Sequence, residues 1–221
     1  ALPTGRAGVT HVAGDYRFTD GNYLLEGVDK ATELGARSMM FFFQMNDGAP
    51  NTFRVQYPDA KAGLWPKATP TSLVALAETA PFRRVFSNPK LTTIVLTAYG
   101  KAFPWGPQLD KKVDYTPEVD AFYALTKHLL TTYRDSGKVF ILTNWEGDNI
   151  IGGRRKLAWN HQEPFRKSDL NVMVEWLSAR QRGVEKARAE MGDVEGVKVY
   201  HVVTIVRTRE VTQKGTVRVI N

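Results

Sequence analysis

Residues 138–149 read KVFILTNWEGDN, and the reading of this stretch decides the fold. Residues Val139 to Leu142 are a continuous apolar, mostly β-favouring run, the pattern of a strand buried on both faces of a parallel sheet. The run stops at polar groups. Asn144, Trp145, Glu146, Asp148 and Asn149 arrive together where the strand opens into a loop. Two carboxylates beside an indole suit acid/base chemistry at a carbohydrate.

The same strand-then-helix rhythm extends outward on both sides. Residues 10–13 read as a first short strand. The helix after it has Asp20 or Asn22 as its cap, an apolar stripe through Leu24, Leu25, Val28, Ala31 and Leu34, and Gly35 as its stop. A second strand spans 38–44, and a loop rich in proline and glycine follows. Thr71 or Ser72 then caps a helix that Pro81 interrupts, before a third strand at 91–99. Thr116, Pro117 and Glu118 form a helix start of N-cap, first helical proline and acidic first turn. Beyond the fourth strand, Ser168 is the expected cap of a long helix striped by Leu170, Met173, Val174, Leu177, Val184 and Ala187. A fifth strand is expected at 197–206.

A helix between consecutive strands forces parallel pairing through crossovers. The loops leaving strands two, three and four are long, whereas the helix-to-strand joints are short. In a (β/α) barrel the long loops share the C-terminal face of the sheet, where active sites are built. The expected fold class is therefore α/β, a parallel (β/α) TIM-type barrel, with residues 1–221 as a single domain. About five βα units do not close eight strands, and a complete barrel takes about 250 residues. The expectation is thus an incomplete barrel truncated at the C-terminus; its rival is an open parallel sheet with an irregular C-terminal extension.

Composition bounds the rest. With 43% hydrophobic and 24% charged residues the chain is that of an ordinary globular protein. Its apolar runs are too short to span a bilayer, so no membrane partner is expected. Cysteine is absent, which excludes disulfides, thiolate catalysis and cysteine-held metals but fits any compartment, secretion included. The net charge of +7 is scattered except at Arg154, Arg155 and Lys156, so nucleic acid is not the expected partner. His11, His128, His161 and His201 form no HExxH or close ligand pair, and neither a P-loop, a GxGxxG nor a GxSxG is present. No metal and no cofactor is expected.

Glycoside cleavage needs one carboxylic acid to protonate the leaving oxygen and a second carboxylate across the sugar. Glu146 is the candidate general acid/base. Asp148 beside it would raise its proton affinity if the side chains converge, Trp145 would stack on a sugar, and Asn144 and Asn149 would bind hydroxyls. Tyr99, ending strand three, is a candidate partner of the acid. His11, Asp15 and Arg17 around strand one are candidates to line the sugar site. Arg180, Gln181 and Glu175 lie on the last helix, where a solvated or interhelix role is expected.

The Asn144-Trp145-Glu146-Gly147-Asp148 motif resembles the strand-four acid/base segment of the large clan of (β/α)8-barrel glycoside hydrolases, with Trp145 intervening between the asparagine and the glutamate. It is similar to a divergent branch of glycosidase-like barrel proteins in that clan. The resemblance implies a retaining mechanism whose nucleophilic glutamate lies on strand seven, beyond residue 221. It also implies an oligo- or polysaccharide partner and a missing C-terminal barrel half, with self-association through the fifth-strand edge as another way to cover it. The alternative from another class is a noncatalytic glycan- or polyanion-binding domain using the same loops.

Overall fold

The computed structural model describes residues 8–11, 19–44, 56–59, 61, 63–100, 113–147, 149, 151 and 165–206. In chain order these give β1 Gly8–His11, α1 Tyr23–Glu33, β2 Ser38–Gln44, α2 Leu73–Ala77, α3 Ala80–Ser87, β3 Thr93–Tyr99, α4 Thr116–Thr132, β4 Lys138–Thr143, α5 Lys167–Met191 and β5 Val197–His201. The protein is α/β. Its five strands form one all-parallel sheet in the order β1-β2-β3-β4-β5.

Among the described strands that order never reverses, so they show no switch point of the doubly wound kind. Consecutive right-handed crossovers without a reversal carry every helix to the same face. The core has this arrangement. Met39, Phe41 and Phe43 of β2, Ile94, Leu96 and Ala98 of β3, Phe140 and Leu142 of β4 and Val197 and Val199 of β5 share one buried cluster with side chains of all five helices. Aromatic side chains bind the layers: Phe43 meets Phe82 of α3 edge to face at 4.8 Å, and Phe140 meets Phe86 at 5.4 Å. Each buried phenylalanine contributes about 2–3 kcal/mol of transfer free energy.

The alternate residues point to the other face, and that face is only half covered. Met40, Phe42, Val95, Val139 and Ile141 are half-buried and Tyr200 is 40% exposed. The run 139–142, expected to be buried on both faces, is fully buried on the helix face alone. Its second-face residue Ile141 lies in register with Val95 of β3 and Tyr200 of β5.

Local signals set most boundaries. The Asn22 side chain accepts from the Leu25 N–H, and Ser72 Oγ accepts from the Ala75 N–H at 3.0 Å, which fixes the starts of α1 and α2. Gly35 has φ +94°, where an L side chain is strained, and stops α1 as expected. Two caps differ from expectation. Thr116 is the first helical residue rather than the cap, because the Asp114 carboxylate takes up its N–H at 2.9 Å. Arg166 stands at the cap of α5, placing Ser168 inside the first turn. Strand β1 starts at Gly8 rather than Thr10, in register with Ser38 of β2. Strand β5 ends at His201, opposite Leu142, rather than at residue 206; beyond it the chain is held to the β4 exit by the Val202 N–H on the Leu142 carbonyl and by the Asn144 side chain on Thr204.

Candidate functional site

The polar cluster expected after β4 lies at the C-terminal end of the sheet, and two anchors shape it. The Asn144 side chain is fully buried. Its Nδ2 donates to the Thr204 carbonyl at 2.9 Å and to the Trp145 carbonyl at 3.0 Å, while its Oδ1 accepts the Thr204 N–H at 3.0 Å. The Gly147 N–H also donates to the Thr204 carbonyl, at 3.2 Å, and the Thr143 and Thr204 hydroxyls bond each other at 2.7 Å. Asn144 therefore pins the exit of β4 to the exit of β5, and its amide is committed to that clamp rather than to a sugar hydroxyl.

Tyr99, the last residue of β3, supplies the second anchor. Its Oη accepts the Trp145 N–H at 2.6 Å, so it holds the main chain beside Glu146 rather than the carboxylate itself. Its ring stacks on Trp176 of α5 at 5.8 Å, and burial pushes its phenol up to about 12, so the hydroxyl is neutral at ordinary pH. Trp145 is half-buried and tilts against Phe42 at 5.1 Å, on the half-covered face. Glu146 is half-buried, and its Oε2 accepts from Nδ2 of the exposed Asn149. Trp145, Glu146 and Asn149 thus present an indole, a carboxylate and an amide side by side. Asp148, Asp15 and Arg17 lie outside the described residues.

His11 has a different place from the one expected. It ends β1 on the helix-covered face, 4% exposed, with Nε2 3.1 Å from the Tyr23 carbonyl and its ring against Phe41 and Tyr57. Burial lowers its pKa, so the neutral ring donates that hydrogen bond. Gly27 of α1 is glycine because the imidazole fills the space a Cβ would take. The ring therefore packs under α1, away from Glu146.

A charged node lies beneath the site, and of the two roles expected for Arg180, solvated or interhelix, the structure gives it the interhelix one. Arg180 of α5 is fully buried and its Nε lies 3.3 Å from Oε1 of Glu118, which is 2% exposed on α4. Its Nη2 donates to the carbonyls of Ala98 and Thr143. Its guanidinium carbon lies 4.2 Å from the Phe122 ring and 4.4 Å from Trp176, close enough for cation–π attraction. Burial pushes Glu118 up to about 7, with Arg180 and a hydrogen bond from Trp176 pulling it back. Burial likewise lowers Arg180 to about 10, against the pull of Glu118 and Tyr99. Both partners shift away from ionisation, so desolvation outweighs their attraction. His201 of β5, lowered to about 3 by burial and by Arg180, is neutral and donates from Nδ1 to Gln181 Oε1 at 3.0 Å. One signal for Arg180 was present: it falls in helical step with the buried Met173, Leu177, Val184 and Ala187, on the apolar stripe rather than opposite it.

Two surface grooves run elsewhere, one beside Arg188, Gly192, Val197 and Lys198, the other beside Asn22, Glu26, Lys30 and Arg84. Among the described residues no group of three or more His, Asp or Glu is placed to hold a metal ion, and no helix is long and apolar enough to cross a membrane. The chain matches no family model, no curated protein and no solved structure.

Proposed function

We propose that the chain forms the first part of a (β/α)8-barrel glycoside hydrolase, with Glu146 as general acid/base and an oligo- or polysaccharide as substrate. The observation that carries this reading is the uninterrupted order of the described strands with the five described helices on one face, together with the place of Glu146 just past the C-terminal end of β4. Barrel active sites are built at that end. All-parallel sheets are normally covered on both faces, whereas here the second face is half open and β1 and β5 are edge strands of the described sheet. Closure with further strands would pair both edges and turn the second face inward.

Within that reading the roles divide by geometry. Asn149 steadies the Glu146 carboxyl, and Trp145, backed by Phe42, offers an aromatic face to a sugar ring. The nucleophile comes from a later strand, about 5 Å from Glu146 if the enzyme retains configuration. The test is hydrolysis of a panel of aryl glycosides and polysaccharides by this chain, by the chain extended with its native downstream sequence, and by Glu146→Gln in each. Cleavage by the extended form, reduced about 100-fold or more in Glu146→Gln, is the expected result. Full activity without Glu146 would overturn the assignment. Glycan binding by both forms with cleavage by neither would replace it with a noncatalytic binding domain.

A further inference from the structure

Arg180 lies at a junction that a purely interhelical arginine would not need. The β3–β4 ladder ends at the Thr97–Thr143 pair, and just beyond it the two strands diverge. One guanidinium nitrogen then donates to the Ala98 carbonyl on one strand and to the Thr143 carbonyl on the other, the latter at 3.2 Å. It supplies the Ala98 carbonyl with a donor where the next candidate in the ladder, the Trp145 N–H, goes to the Tyr99 hydroxyl instead, and adds a second tie at the Thr143 carbonyl. A leucine on the α5 stripe would fill the same space without the desolvation cost of a buried charge, but it would leave both carbonyls without this donor. The two tied residues lead directly to the site. Ala98 precedes Tyr99, whose hydroxyl accepts the Trp145 N–H, and Thr143 opens the segment that ends at Glu146. The Tyr99 ring is held between Trp176, stacked at 5.8 Å, and the guanidinium at 5.5 Å.

We propose that Arg180 is the positioning residue of the β4 exit: by tying Ala98 and Thr143 it orients Tyr99, which fixes the Trp145 main chain and thereby the placement of Glu146. As a statement about catalysis this rests on the glycosidase reading; as a statement about geometry it does not. The titratable and charged groups facing the guanidinium are Glu118 from α4, Tyr99 from β3 and His201 from β5. Glu118 balances the buried charge, so protonating it near pH 7 alters the hold on the strand ends.

The decisive readout is the Trp145 backbone amide in 15N-labelled protein, followed by its chemical shift and hydrogen exchange in Arg180→Lys, Tyr99→Phe and the remote core control Val85→Ala. Exchange about tenfold faster in Arg180→Lys and in Tyr99→Phe, with Val85→Ala within about twofold of the unsubstituted chain, is the expected pattern. The same resonance in the unsubstituted protein should titrate with a midpoint near 7 and lose that titration in Glu118→Gln, which keeps the test valid if Arg180→Lys does not fold. A Trp145 amide indifferent to Arg180→Lys, or one that does not titrate in the unsubstituted chain, overturns the proposal. None of these readouts needs a saccharide. Absence of hydrolysis by the extended enzyme therefore counts against the glycosidase reading alone, whereas in an active enzyme Arg180→Lys should lower kcat about tenfold with KM little changed.

Discussion

Glu118→Gln gives a direct measure of how far burial outweighs pairing in the node under the site. The carboxyl is 2% exposed, and its pKa is raised from 4.5 to about 7 despite the guanidinium beside it. A shift of that size corresponds to about 3 kcal/mol between the two protonation states. The folded protein binds this proton more tightly than the unfolded chain does. The resulting stabilisation is complete below about pH 4.5 and is lost progressively as pH rises toward 7. Urea unfolding of both proteins from pH 5 to 8 isolates the effect, because His201 and the surface carboxylates are common to the two. The unsubstituted protein should lose about 2 kcal/mol relative to Glu118→Gln between pH 5 and 7, and about 0.4 kcal/mol more as pH rises through the folded pKa to 8. A difference that stays flat within about 0.5 kcal/mol would refute the reasoning: Glu118 would then be ionised throughout, with Arg180 fully compensating its burial.

His201 titrates with the opposite sign. Its pKa is lowered from 6.5 to about 3, so the stability of its neutral form is present above pH 6.5 and is lost as pH falls from there toward 3; His201→Gln should flatten that acid limb in urea midpoints taken at pH 4.5 and 7. Gly183 marks the close approach of α5 to α4, where an added Cβ would press on the Val119 carbonyl and lie 2.9 Å from both Phe122 Cβ and Tyr123 N. Gly183→Ala should therefore cost about 1–3 kcal/mol despite its better helix propensity, and a thermal midpoint equal to or above that of the parent would contradict the helix spacing.

Much of the scaffold was legible because its signals are local. The bounds 38–44 of β2 and the start of β4 follow from apolar runs flanked by turn residues, and Asn22 and Ser72 cap helices because a short polar side chain next to the first turn reaches a free N–H. The alternation of strand and helix was enough to require parallel pairing. The strand ends were harder to read. Residues 202–206 keep β propensity, yet the strand stops at His201, and from there Thr204 is bonded by the Asn144 side chain instead of by a backbone ladder, a partner the local sequence does not show.

The site shows the same division. Composition and spacing placed Glu146, Trp145 and Asn149 together after a strand, and the structure brings them to one sheet end. Nothing in the local sequence tells that Asn144 closes on Thr204, because its partner is 60 residues away and the pairing exists only once β4 and β5 are neighbours. His11 is a strand-end histidine in either setting; the side of the sheet that α1 covers decides that it packs against Gly27 instead of facing a ligand. Arg180 is the clearest case. Along the chain it is one charge among many on a long helix, and its step with the apolar stripe is a weak sign. Its meaning comes from Glu118 on α4 and from two carbonyls on β3 and β4, brought around it by helix packing and sheet order. Short-range chemistry was sufficient to specify the elements, whereas the partners of buried polar groups are set by contacts between distant segments, which the tertiary structure alone decides.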